Sequence, residues 1–286
     1  MNEVLLISST SANLGDKAPV KFLKKPNFEV ERPAKTYISL DHALIYVGDN
    51  STFSKRALYI LSFYWIWYSF LFMGMSLLMG GSHIYFCPAA GTNGYIPCEQ
   101  YEACQYFSYN EVFLEPTQTI ISEFKLICAR EHLVPWISSM MFVSLIISGP
   151  IFPHLANKYG RKRTIVFSGL LSSVSLILAG FSWNFSIWLF FVFTAGMGFA
   201  GLETAGRVYL SELSGNNFRI NSMAVLNMVW AGSQILLVLL KALVSYWRYL
   251  FVYFMGISYL IAVVIGAFFL EESPKYLMHA NRIDVG

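Results

Sequence analysis

The chain has 286 residues, of which 56% are hydrophobic and 17% aromatic; only 13% are charged, against about 25% in a water-soluble domain. That balance excludes a soluble globular protein, and a net charge of +3 scattered over turns, with no continuous basic face, excludes a nucleic-acid binder. No nucleophile with a base, no metal cluster with an open position and no phosphate loop occurs in the sequence, so the reading is of a non-enzyme that takes no metal and no cofactor.

Residues 1–56 carry Pro19, Pro26 and Pro33 among Lys, Asp and Asn with little periodicity, and read as a cytosolic arm, flexible or held by a partner. The apolar run that follows is too long for the core of a signal peptide, which keeps the arm in the cytosol. A bilayer core of about 30 Å takes about 20 apolar residues of helix. Six segments reach that length, near residues 57–82, 133–156, 164–183, 186–211, 220–244 and 246–270. The expected fold class is therefore an all-α membrane protein of six transmembrane helices, with the membrane domain at 57–270, an outside loop at 83–132 and a cytosolic tail at 271–286.

The first span is rich in aromatic residues: Phe63, Tyr64, Trp65, Trp67, Tyr68, Phe70 and Phe72. Contact with lipid and interface is the commoner use of such a cluster, and stacking on a cationic substrate the rarer one. The loop at 83–132 holds all four cysteines, Cys87, Cys98, Cys104 and Cys128. An oxidising exterior favours one or two disulfides over free thiols; zinc fits less well, because neither the spacing nor nearby histidines follow the finger pattern. Three full pairings stay open. The loop also carries Glu99, Glu102, Glu111, Glu115, Glu123 and Glu131 against Lys125 and Arg130, the composition of a solvated surface or of a cation-collecting mouth.

Between the second and third spans, Lys158, Arg161, Lys162 and Arg163 crowd into a turn hinged at Gly160. Such turns stay on the cytosolic side. With this topology the inside holds fifteen Lys and Arg and the outside four, Lys125, Arg130, Lys241 and Arg248. In the fourth span Gly196, Gly198 and Gly201 fit a dinucleotide-binding spacing, but no strand or soluble crossover surrounds them, and close helix packing explains them better. Glu203 and Arg207 lie four apart in the same span, on one helix face, where they can pair. Ionisable groups at that depth cost about 2.5 kcal/mol or more each, which points to a substrate counter-ion, a proton site or a partner contact; a shallower helix with both groups at the cytosolic interface is the bland alternative. Asn227, Ser233 and Gln234 of the fifth span are candidates for substrate contact or, more commonly, for interhelical hydrogen bonds.

The turn around Gly160-Arg161-Lys162 resembles the loop joining the second and third helices of major facilitator superfamily transporters. Further stretches resemble the organic cation and organic anion transporter family: Val47-Gly48 through Phe53, Ser122 through Cys128, Glu212 through Arg219, Trp247-Arg248-Tyr249-Leu250, and Glu272 through Leu277. The resemblance covers roughly residues 40–280. It implies the N-terminal half of a twelve-helix fold, with a substrate cavity between two six-helix halves and the fourth helix lining it. It also implies a small organic ion as substrate, and a cytosolic gating network of Arg161, Glu212, Arg219 and Glu272 with Asn157, Lys158, Gly160 and Lys162 of the turn. The family pattern places no pair where Glu203 and Arg207 stand.

This sequence departs from that pattern at three places: Asn157 stands at the acidic position of the turn, Pro153 at its first glycine, and Val192 where many members carry arginine. An amide can hydrogen-bond a helix end but carries no charge relay. Two expectations follow. One is an organic ion transporter, represented by one half, in the plasma membrane or an organelle membrane with both termini cytosolic, surrounded by lipid and completed by a second six-helix half, a homodimer mate or other membrane subunits. The other is a transport-inactive, transporter-derived structural subunit of a larger membrane assembly.

Overall fold

The computed structural model describes residues 52–79, 84–88, 95–99, 102, 104, 113–115, 119–213, 216–244 and 246–279. Most of the expected arm, and the last residues of the expected tail, lie outside them. All of the described residues belong to the compact unit that begins at Ile38.

Six helices are long and apolar enough to cross a bilayer. They are α1 (Thr52–Met79), α2 (Val134–Tyr159, led in by a 3-10 stretch at Cys128–Leu133), α3 (Arg161–Phe181), α4 (Phe185–Glu212), α5 (Asn216–Leu243) and α6 (Trp247–Phe269). A short helix, α7 (Pro274–His279), comes after them. The first helix starts at Thr52, before the apolar run, and so takes Lys55 and Arg56 into its first turns.

Leu61, Tyr64, Trp65, Tyr68, Leu71, Met75 and Leu78 are all buried, and steps of three and four residues place them on one face of α1. That face corrects the reading of the aromatic cluster as lipid-facing. Tyr64, Trp65, Trp67, Tyr68 and Phe70 lie inside the bundle, and only Phe63 is well exposed. Tyr68 meets Phe199 of α4 and Trp230 of α5, while Trp67 stacks on Tyr259 of α6. Large aromatic rings here fill the space that four converging helices leave.

The closest pair is α3 with α4. It is made possible by small residues: a Cβ at Gly198 would lie 2.5 Å from the Ser168 carbonyl, and Gly196 and Gly201 press on Ser144 and Phe152 of α2. The serine hydroxyls at this contact satisfy themselves on their own helix, Ser168 on the Ile165 carbonyl and Ser172 on the Ser168 carbonyl. The glycine spacing of α4 is thus packing, inside a continuous helix.

Helix α6 changes its winding over Leu250–Ile257 to a π-type stretch. The carbonyl of Phe254 in that stretch accepts the indole N–H of Trp67 at 3.0 Å, which also reaches the Ser258 hydroxyl at 2.9 Å. Carbonyls turned aside by altered winding need such partners in lipid.

At the opposite end from the basic turn, β1 (Ile84–Pro88), β2 (Tyr95–Cys98) and β3 (Phe113–Glu115) form an antiparallel sheet in the order β2-β1-β3. The helical fold class therefore carries a small sheet that hydropathy did not reveal. Cys87 bonds Cys98 across β1 and β2, and Cys104 bonds Cys128 at the start of the 3-10 lead into α2. Of the three open pairings this is the one formed.

Candidate functional site

Helices α2 and α5 bury only 22% and 17% of their most apolar stretches, against half or more for the other four, and are the least enclosed helices of the bundle. Glu203 and Arg207 lie on α4 with side chains 30% and 37% exposed, and they pair at 3.3 Å. At about 1.5 Å of rise per residue, Arg207 lies about 8 Å and Glu203 about 14 Å along the helix from the basic end of α4.

The pair is held from α1. The Tyr68 hydroxyl donates to Glu203 Oε2 at 2.5 Å, and the Arg207 guanidinium lies 5.2 Å from the Trp65 ring centre. Arg207 Nε is buried, and among the described residues no hydrogen-bond partner reaches it. Next to this group Gln234 of α5 donates through Nε2 to the Ser69 hydroxyl, which itself donates to the Trp230 carbonyl at 3.2 Å. Asn227 is exposed on α5, two turns away along the same helix. One carboxylate, one guanidinium, one phenol and one amide thus lie along α1, α4 and α5, flanked by Trp65, Phe199 and Trp230. Such a strip offers opposite charges and ring faces to an organic ion.

At the basic end the geometry is tighter. Gly160 is the single residue between α2 and α3, with φ of 105° and ψ of 156°, a conformation essentially reserved for glycine. That turn aims Arg161 at Glu212 of α4. Arg161 Nε donates to both carboxylate oxygens at 3.2 and 3.0 Å, Nη2 donates to Oε1 at 2.9 Å, and Nη1 donates to the Ala156 carbonyl at 3.1 Å. The Ser273 hydroxyl donates to Glu212 Oε2 at 2.6 Å. Glu272 Oε1 accepts from the backbone N–H groups of Arg161 at 2.8 Å, Lys162 at 3.0 Å and Ser273 at 3.1 Å, capping the start of α3. Tyr276 of α7 donates to the Lys158 carbonyl at 3.1 Å, and Ser54 of α1 to the Leu213 carbonyl at 3.1 Å. This lock joins α1, α2, α3, α4 and the segment after α6.

The family resemblance puts Arg219 in that lock, and the structure does not. Arg219 is exposed on the first turns of α5, and no ion pair among the described residues includes it. Asn157 is exposed as well and joins neither Arg161 nor Glu212, while Lys158 and Lys162 contribute backbone groups only. Ser273 was not singled out by sequence reasoning, although it lies inside the Glu272 through Leu277 stretch.

A second lock closes the disulfide end. Arg248 at the start of α6 donates through Nε to Glu123 at 2.6 Å, through Nη1 to the Gly180 carbonyl at 2.6 Å and through Nη2 to the Ser182 carbonyl at 2.8 Å. Trp247 Nε1 donates to the other Glu123 oxygen at 2.6 Å. The guanidinium fork thereby satisfies carbonyls left free at the end of α3. Both partners sit in resembling stretches, 125 residues apart, and nothing in either stretch alone signals the other. Among the described residues no group of three His, Cys, Asp or Glu is placed to hold a metal.

The family description of the Major Facilitator Superfamily matches residues 106–283. Solute carrier family 22 member 6 of Oryctolagus cuniculus is 27% identical over 172 residues, which cover 58% of this chain and 30% of that protein. The Beta-alanine transporter of Drosophila melanogaster is 25% identical over 167 residues, covering 58% and 27%, and Organic anion transporter 3 of Mus musculus is 23% identical over 171 residues, covering 60% and 32%. The chain thus spans about a third or less of the length of these curated relatives. Among solved structures, the crystal structure of a D-xylose-proton symporter superposes with a TM-score of 0.54 at 13% identity, over 81% of this chain and 52% of that one, a likeness of fold. The chain belongs to the Major Facilitator Superfamily.

Proposed function

We propose that this chain is one six-helix half of an organic ion transporter, in which the side formed by α1, α4 and α5 lines the path of a small organic ion. A second six-helix bundle, supplied by more of the same polypeptide, by a second copy or by another membrane subunit, closes the other side. The observation that carries this reading is the Glu203–Arg207 pair, partly exposed in the spanning helix α4 and held by Tyr68 and Trp65. Charges within a membrane span are expensive and rarely left open to lipid.

The bundle lies in the plasma membrane with its basic end in the cytosol. Fifteen Lys and Arg against four support that orientation, and it puts both disulfides on the oxidising side. Arg161, Glu212 and Glu272 form the inner latch, and Glu203, Arg207, Asn227 and Gln234 face the substrate. The relatives named as transporters of organic anions and beta-alanine support a charged organic solute.

A transport-inactive subunit is the second reading, and Asn157 favours it, being exposed and outside the latch where the family carries an acid. Uptake of radiolabelled organic cations and anions into vesicles from cells expressing the chain separates the two. Transport predicts saturable uptake that Glu203→Gln abolishes at unchanged surface expression. Absence of uptake by a correctly inserted chain that copurifies with other membrane proteins sinks transport by this chain alone, and a variant completed by a second six-helix half that still takes up no solute leaves the subunit reading.

A further inference from the structure

Of the four cations in the turn after α2, one is occupied. Arg161 points inward onto Glu212, and the nearby Glu272 is held by backbone amides. No ion pair among the described residues reaches Lys158, Lys162 or Arg163, and Lys158 and Arg163 are exposed. Beside them a groove of about 380 Å³ runs between α2 and α3, lined by Leu155, Tyr159, Arg163, Thr164 and Phe167.

The walls of this groove are apolar. The Thr164 hydroxyl donates to the Gly160 carbonyl at 2.8 Å, so its polar group is already satisfied within the turn. Phe167 is 56% and Tyr159 48% exposed, and the Lys158 ammonium sits 5.2 Å from the Tyr159 ring centre. Cations at the mouth and hydrocarbon along the floor match one molecule shape: a headgroup phosphate at the surface with an acyl chain running toward the bilayer centre.

We infer that this groove is a binding site for one anionic phospholipid of the leaflet at the basic end, with the phosphate against Arg163 and Lys158 and an acyl chain along Leu155 and Phe167. An apolar groove by itself takes any lipid. Selection for net negative charge comes from Lys158, Lys162 and Arg163, which have no carboxylate partner among the described residues, each strengthening binding about fivefold near an anionic surface. Arg163 supplies a planar fork for phosphate and Lys158 a mobile point charge. The site needs only that the bundle lies in a bilayer, and it stands whether or not the chain transports a solute.

Native mass spectrometry of the intact chain in detergent, titrated with dioleoyl phosphatidylglycerol or dioleoyl phosphatidylcholine, tests the site. The first retained adduct is expected with phosphatidylglycerol at a concentration at least tenfold lower than with phosphatidylcholine. Lys158→Gln with Arg163→Gln is expected to weaken the phosphatidylglycerol adduct about 25-fold, at two cations of about fivefold each, with an unchanged melting temperature. Leu155→Trp, which fills the groove, is expected to lower adducts of both lipids, and glycerophosphoglycerol, the headgroup without chains, to displace neither. Equal affinity for the two lipids, an unchanged phosphatidylglycerol adduct in the double variant, or displacement by the chain-free headgroup would overturn the inference.

Discussion

Replacing Glu212 with alanine strands Arg161 in a place where only 14% of its side chain reaches solvent. The carboxylate takes the Arg161 fork on both oxygens and the Ser273 hydroxyl besides, and of those guanidinium contacts only the one to the Ala156 carbonyl survives the change. Breaking a buried pair by removing one partner costs about 3–5 kcal/mol, most of it the penalty of the charge left behind. At about 2–4 °C per kcal/mol for a chain of this size, the melting temperature falls on the order of 10 °C. Removing both charges, Arg161→Met with Glu212→Leu, should recover most of that loss, because nothing charged is then stranded. Fluorescence-detected unfolding in mild detergent reads both variants. Hydrogen exchange at Arg161 and Tyr276, whose amides donate to Glu272 and Ser273, should quicken in the single variant. A single variant within 2 °C of the parent, taking about 2 °C as the shift that the scaling gives for under 1 kcal/mol, refutes the reasoning. So does a double variant as unstable as the single.

Three further changes test the junctions that hold the bundle. Gly160→Ala must adopt a glycine-only conformation at about 1–3 kcal/mol and brings a Cβ to 2.5 Å from Glu272 Oε2, so a clear loss of thermal stability is expected, and none would contradict the assigned turn. Arg248→Lys keeps the charge but loses the fork that joins Glu123, Gly180 and Ser182; exchange at the α3–α4 turn should quicken, and unaltered exchange there would show that charge alone suffices. Cys104→Ser with Cys128→Ser opens a closure of 24 residues, worth about 3 kcal/mol on loop entropy, and should raise protease cutting between those positions while leaving the six spans intact. Cutting no faster than in the parent would deny that closure a stabilising part.

The six spans were legible because a run of about twenty apolar residues has one main use in a chain this poor in charge. Their pairing partners were partly legible: Gly196, Gly198 and Gly201 announce close approach, though not that Ser144, Ser168 and Phe152 receive them. The aromatic residues of α1 were misjudged because composition cannot tell a lipid face from an interior one. The three-and-four spacing from Leu61 to Leu78 carried that information. Arg161, Glu212 and Glu272 are grouped by the family resemblance and meet at one end of the bundle, while Arg219, which the same resemblance includes, turns outward on its own helix. The sheet, the Glu123–Arg248 lock and the support of Glu203 by Tyr68 depend on residues brought together from distant parts of the chain, and no local pattern encodes such meetings.

The proposed function requires that the α1–α4–α5 side of the bundle lines an aqueous path for an organic ion. All four native cysteines are locked in disulfides, so a single introduced cysteine is the only free thiol in the chain. Gln234→Cys and Asn227→Cys, set against Phe268→Cys on a strongly exposed apolar stretch of α6, can be labelled in native membranes with a charged, lipid-insoluble methanethiosulfonate. Rapid labelling at 227 and 234, slowed by an organic ion substrate, and little at 268 are expected. Labelling at 227 and 234 by lipid-soluble maleimides alone, as at 268, would place that side against hydrocarbon and contradict it.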